Sequence, residues 1–219
     1  MNLGVITYNL PHLKTQTLVK GLIEKNYKIS LIIVEFKKYK KNKVLYNHRP
    51  EQFSVKNSNE LSKFLNINSY SINQIKDLKD FDYFIIGGSS IIKKEHIIPN
   101  KIINCHSGLI PTNRGLDSFK WAILNNEKLG NTLHFIDESI DYGKIISHNI
   151  TSVYENDDFK KLSERHYNSE INMLINFENH IKNPNKLDLK IKQATKRMSI
   201  ENETKMFENF ENYKIKFKS

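Results

Sequence analysis

The sequence predicts an α/β protein built on a mostly parallel, doubly wound sheet, closed by a small C-terminal extension. Three observations carry that expectation. Short apolar runs rich in β-branched residues alternate with stretches of helical period. The runs are continuously apolar rather than alternating, the pattern of strands buried on both faces. The 219 residues suffice for one large domain, or one domain and a small appendage.

In chain order, LGVITY (Leu3 to Tyr8) and ISLIIVEF (Ile29 to Phe36) read as strands. The stretch between them, KTQTLVKGLIEKN, sets Leu18, Leu22 and Ile23 at helical spacing. SNELSKFLNI places Ser58 ahead of an amphipathic helix, and NSYSI is a further short strand. FDYFIIGGSSII rises to an apolar strand that stops at Gly87 and Gly88, and KIINCH is the next strand. LDSFKWAILNN (Leu116 to Asn126) reads as a helix with Phe119, Trp121, Ala122 and Ile123 towards the core. NTLHFI and KIISHNIT are strands flanking the turn-forming DESIDYG, and Asp157 to about Lys182 is a closing helix. The expected division is therefore a domain over 1–183 and a polar, loosely packed extension over 184–219. Phe207, Phe210, Tyr213 and Phe217 give that extension some capacity to dock.

Charge narrows the partners. The formal net charge is +10, but the excess is mostly lysine scattered along the chain, with only the short KKYKKNK run (Lys37 to Lys43) as a cluster. A specific nucleic-acid partner is not expected, whereas attraction of a phosphorylated small substrate is. Cys105 is the only cysteine, so the chain has no intrachain disulfide and no thiolate metal cluster. The N-terminus lacks a signal-peptide core and no apolar run approaches the ~20 residues of a membrane span, so a cytoplasmic protein without membrane partners is expected.

The stretch INCHSGLIPTNRGLDSFKWAI crowds reactive groups at the end of an apolar strand. In a strand, i and i+2 share a side, so Asn104 and His106 can face one cleft. The amide of Asn104 could donate to an oxygen that becomes negative, and a carboxylate from Asp141 could orient the imidazole and raise its pKa. Geometry alone does not single out these three, since other Asn, His and Asp residues in loops would serve equally. However, NCHSGLIPTNRGLDSFKWAILNNEKLGNTLHFIDESIDYGKII resembles the core of the 10-formyltetrahydrofolate-dependent formyltransferases. That family's pattern is met by Asn104, His106, Gly108, Leu109, Pro111, Arg114, Gly115, Trp121, Ala122, Gly130, Thr132, His134, Asp141, Gly143 and Ile145.

The resemblance implies a Rossmann-like formyltransferase fold, 10-formyltetrahydrofolate as formyl donor, and Asn104, His106 and Asp141 as the catalytic trio. By position it implies a folate cleft bordered by Gly88, Ser89, Ser90, Ile91 and Ile92, by Ile98, and by Asp137 and Asp141. Main-chain groups there would read the pterin edge, and Ile91, Ile92 and Ile98 would line its faces. Ser90 stands where family members often carry Arg, a departure on the pterin side. His134 reads as structural or as supporting the cleft, Cys105 as a small buried hydrophobe, and Arg114 as a structural cap or a substrate contact.

For the acceptor, TYNLPHLKTQT lacks the glycines that would let backbone amides close on a phosphate after the first strand, which weakens glycinamide ribonucleotide. The residues after Pro184 are too few for the tRNA-binding barrel of methionyl-tRNA formyltransferases. The short sugar N-formyltransferases remain, with a nucleotide-linked amino sugar of polysaccharide biosynthesis as expected substrate. His48 and Arg49, set beside aromatic residues in YNHRPEQF, are expected to meet its phosphate or base. Glycinamide ribonucleotide formylation is the alternative within enzymes, and a non-catalytic basic binding module the alternative outside them. C-terminal additions in the family serve substrate contacts or dimer formation, so a homodimer is an expected assembly.

Overall fold

A computed structural model of the chain describes residues 1–36, 43–137, 143–181 and 193–218. The elements run β1 (Asn2–Tyr8), α1 (Leu13–Glu24), β2 (Lys28–Val34), α2 (Ser58–Leu65), β3 (Ser69–Ser71), β4 (Tyr83–Ile86) and β5 (Ile102–His106). They continue as α3 (Ser118–Leu124), β6 (Gly130–Phe135), β7 (Ile145–Ile150), α4 (Phe159–Ile175), α5 (Ile200–Glu208) and α6 (Phe210–Phe217). The strands of the described residues form one sheet of order β3-β2-β1-β4-β5-β6-β7. From β3 to β5 the pairing is parallel, and β6 and β7 are added antiparallel. The α/β class and mostly parallel sheet follow the sequence expectation.

β1 is buried throughout from Leu3 to Thr7, which explains its unbroken apolar run. On one face, Leu3, Val5, Ile85, Ile103 and Cys105 pack under α1 and α4 through Leu18, Leu22, Met173 and Leu174. On the other, Ile6, Ile32, Phe84, Ile86 and Ile102 pack with Ile75 and Phe81. Cys105 belongs to the first face, with its thiol pushed up by burial, as a small buried hydrophobe is. α2 starts one residue differently from the sequence reading. Asn57 caps it in a reciprocal box with Glu60, and the Ser58 hydroxyl instead donates to the Tyr8 carbonyl.

β1 is flanked by β2 on one side and β4 on the other, so the strand order reverses there and a crevice opens at the carboxyl ends. The glycines ending β4 let α1 close against it. A Cβ on Gly88 would lie 2.5 Å from His12, and one on Gly87 2.9 Å from the Thr15 hydroxyl.

The loose packing expected for the C-terminal extension is corrected by the structure for its described residues, 193–218. Met198, Met206, Phe210 and Tyr213 are buried against Phe119, Ala122, Ile123 and Leu129. Asn209 donates to the Ile123 carbonyl at 2.8 Å and Tyr213 to that of Glu127 at 3.1 Å. Glu203 of α5 and Lys120 of α3 form an ion pair whose side chains are 0% and 1% exposed. Stripping one partner from a buried pair costs about 3–5 kcal/mol, a large share of a domain's roughly 5–15 kcal/mol. Removing α5 and α6 is therefore expected to lower the chain's thermal melting temperature. The polar average of the segment suggested loose packing, whereas Phe210 and Tyr213, noted for their capacity to dock, cover α3 together with Met206. Among the described residues no helix is long and apolar enough to cross a membrane.

Candidate active site

β5 delivers Asn104 and His106 to the same side of the sheet, in register with His134 and Thr132 of β6. Ile102 precedes them on that side, and Ile92, Ile98 and Ile136 pack against its cluster. Asn104 Nδ2 lies 3.3 Å from His134 Nε2, and His134 Nδ1 lies 3.1 Å from the Phe135 carbonyl. A carbonyl only accepts, so the His134 proton sits on Nδ1, and Nε2 accepts from the Asn104 amide. His134 thus orients Asn104, the supporting part the sequence reading left open.

His106 is buried, and its Nε2 donates to the Asn113 carbonyl at 3.0 Å, with Ser118 Oγ at 3.2 Å. In the neutral ring Nδ1 is then the basic nitrogen. The loop supplying that carbonyl is pinned. Thr132 Oγ1 donates to Gly108 O at 2.7 Å and accepts from Ile110 N at 3.0 Å, while Asn113 Nδ2 donates to Ser118 O at 2.8 Å. This chain pinches so tightly that a Cβ on Gly108 would fall 2.4 Å from Asn113 O and 2.8 Å from His106 Nε2.

Behind this strand end lies a buried charged cluster that the sequence reading missed. Glu170 of α4 meets Lys14 at 2.5 Å and Arg49 at 2.9 Å. Burial pushes its carboxyl up, but Arg49 and Lys14 together outweigh it and hold the pKa down to about 2. His166 places Nε2 2.7 Å from Ser107 Oγ and Nδ1 2.8 Å from Thr151 Oγ1. Burial lowers it to about 4, and burial with the Lys14 charge lowers His12 to about 4.

Both imidazoles are neutral when folded, whereas the unfolded chain takes up protons near pH 6.5. Their contribution is present above that pH and is lost as pH falls towards 4, at up to about 1.4 kcal/mol per pH unit for each. Urea midpoints measured at pH 7.5 and pH 5 (roughly, to bracket this window) should therefore fall with acid, and less steeply in His166→Gln. Equal midpoints for the wild type at both values would contradict buried neutral imidazoles.

The other expected site residues are placed as follows. Gly88 ends β4 beside His12, and Ser89 donates to the Ser90 carbonyl. Ile92 and Ile98 lie on the Asn104 face, whereas Ile91 is 74% exposed. Asp137 joins Ile97, Ile136, Lys76, Lys94 and Lys144 in lining a cleft of about 780 Å³ in which neither Asn104 nor His106 takes part. His48 is stacked on Phe119 at 5.4 Å and, by burial and the nearby Arg49 charge, held well below its ordinary pKa; Arg49 is engaged by Glu170. The Arg114 carbonyl accepts from Thr195 N and Oγ1, each at 2.8 Å. Asp141, and the lysine run except Lys43, lie outside the described residues.

Comparison with known proteins bears on this arrangement. A methionyl-tRNA formyltransferase of Thermodesulfovibrio yellowstonii is 28% identical over 170 residues, covering 75% of this chain and 55% of that protein. The chain thus spans about half the length of such curated relatives. A Helicobacter canadensis N-formyltransferase, crystallised with folinic acid and dTDP-3-aminofucose, superposes with a TM-score of 0.64 at 18% identity, covering 95% of this chain and 80% of that one. A phosphoribosylglycinamide formyltransferase of Anaplasma phagocytophilum gives 0.59 at 19% identity, covering 83% and 84%. The formyl transferase family pattern matches residues 15–177, from the α1 side of the crevice through β5 and its Asn104 and His106 to the end of α4. The chain belongs to the formyl transferase family.

Proposed function

We propose that the chain transfers a formyl group from 10-formyltetrahydrofolate to the amine of a nucleotide-linked amino sugar. The observation that carries the sugar is coverage. The Helicobacter canadensis structure, with its amino-sugar nucleotide, spans 95% of this chain, against 83% for the phosphoribosylglycinamide enzyme. The described C-terminal helices, buried on α3, make that difference meaningful for the fold.

The residues present fit the donor. Ile92, Ile98 and Ile136 are partly exposed and pack on the cluster of Ile102, two residues before Asn104 on the same side of β5, and a Cβ on Gly88 would strike His12. In this reading Gly88, Ser89, Ser90, Ile91, Ile92, Ile98, Asp137 and Asp141 would hold the pterin end of the folate, which would supply an activated formyl group from its linking nitrogen. Asn104, oriented by His134, donates to the formyl oxygen as it becomes negative. His106 would accept the proton that the acceptor amine gives up and pass it to the donor nitrogen that leaves as its bond to the formyl carbon breaks, with Asp141 stabilising the charged ring in between. Arg114 borders the acceptor, while His48 and Arg49 shape its wall from fixed positions on Phe119 and Glu170.

The test is an acceptor screen with 10-formyltetrahydrofolate. It would include dTDP-3-aminofucose and UDP-linked amino sugars, glycinamide ribonucleotide and methionyl-tRNA, with the formamide read by mass. The tRNA is included because the Thermodesulfovibrio relative and the +10 charge favour it as the second reading. Formamide on an amino-sugar nucleotide and donor turnover dependent on it are expected. Formylation of tRNA alone would replace the sugar reading, and equal turnover without any amine would indicate a hydrolase.

A further inference from the structure

We propose that Glu203, on α5 near the C-terminal end, is a positioning residue for the acceptor side of the site, acting through the backbone of Leu45 and Tyr46. This rests on the reading that His48 and Arg49 border the acceptor, and it adds a residue that neither the sequence motif nor the family match includes.

Glu203 is fully buried. One carboxylate oxygen, Oε1, takes the ammonium of Lys120, itself 1% exposed. The other, Oε2, accepts from two consecutive backbone amides, those of Leu45 and Tyr46. A desolvated carboxylate is tolerable only with such partners, so the amides and the lysine are held to it as firmly as it is held by them. The carboxylate therefore ties α3, α5 and the loop leaving residue 43 at a single point.

From that point the loop reaches the site through contacts already described. The Tyr46 ring packs on Phe159 and Phe207, and its hydroxyl lies 2.9 Å from Ser163 Oγ. His48 stacks on Phe119, and Phe119 meets His166, whose Nε2 is hydrogen-bonded to Ser107 next to His106. Arg49 then closes on Glu170. Two amides fixed by Glu203 thus set the entry point and direction of the segment that brings His48 and Arg49 to the back of the β5 strand end. The distance in sequence is 158 residues between Leu45 and Glu203, so α5 contributes to a wall formed by the first half of the chain.

The test pairs a substrate-free readout with a kinetic one on Glu203→Gln. Hydrogen exchange at the Leu45 and Tyr46 amides should accelerate about tenfold or more, with exchange in β1 and β4 unchanged. With the acceptor found in the screen, acceptor KM should rise about tenfold while kcat and the tetrahydrofolate Kd stay within about twofold. Glu203→Asp, which keeps the charge for Lys120, should recover part of the KM. Unchanged exchange at the two amides overturns the proposal, as does an unchanged acceptor KM or an equal loss of donor affinity. If Glu203→Gln fails to fold, Leu45→Pro deletes one of the amides, leaves the Lys120 pair in place, and is judged by the Tyr46 amide and the same constants. Should the wild type formylate none of the amines, the functional reading fails by itself, and the exchange at Leu45 and Tyr46 still decides whether Glu203 holds the loop.

Discussion

His106→Gln is expected to leave a folded chain whose formyl transfer falls by about 10²–10⁴-fold, the usual worth of a positioned acid-base group. The substitution separates support from proton transfer. A glutamine amide can still donate to the Asn113 carbonyl, the contact that His106 Nε2 makes at 3.0 Å, so the loop after β5 keeps its anchor. What disappears is a ring nitrogen able to accept the proton. Thermal melting and calorimetry with tetrahydrofolate would establish that fold and donor affinity persist. A variant keeping more than about a tenth of the wild-type rate would remove His106 from the proton transfer.

Gly108→Ala should damage turnover nearly as much without removing any reacting group. The added methyl would lie 2.4 Å from the Asn113 carbonyl oxygen and 2.8 Å from His106 Nε2. The first of these neighbours is backbone, secured by Asn113 N to Leu109 O at 2.8 Å and by Asn113 Nδ2 to Ser118 O at 2.8 Å, so it yields at a cost. Overpacking of this kind typically costs about 1–3 kcal/mol of stability, and a misplacement of about 1 Å at a catalytic group can cost about 10²-fold in rate. The expected result is a chain that melts earlier but folds, retains tetrahydrofolate binding, and loses about two orders of magnitude in kcat. Wild-type kcat in Gly108→Ala would mean that the imidazole does not need the carbonyl of Asn113.

How far the site could be read in advance depended on the kind of interaction. That Asn104 and His106 share a side was legible because a strand places i and i+2 together whatever surrounds it, and β5 obeys that rule, whereas singling them out took the resemblance to the family. His134 was half legible, since its place across from Asn104 needs the register of two antiparallel strands. Lys14, Arg49 and Glu170 were illegible as a cluster. A lysine or glutamate in an amphipathic stretch looks like a solvated residue, and the pairing of Lys14 with Glu170 joins positions 156 apart. The same applies to Lys120 with Glu203, 83 apart. His48 and Arg49 were noticed as polar groups beside aromatics, but their sequence neighbours could not reveal that Phe119 and Glu170 engage them.

The sequence by itself determined the α/β class, the succession of strands and helices, and the strand end that carries Asn104 and His106. These depend on local periodicity: strands buried on both faces must be apolar without interruption, and helices packed on one side must repeat their apolar residues every three or four positions. Only the tertiary structure decided that α5 and α6 are part of the core, that Thr132 pins the loop after β5, and that Glu203 holds the loop of Tyr46. Each of these depends on which distant segments meet with water excluded. Desolvation changes the worth of a charge by several kcal/mol according to its partners, and no local pattern of residues records who those partners are.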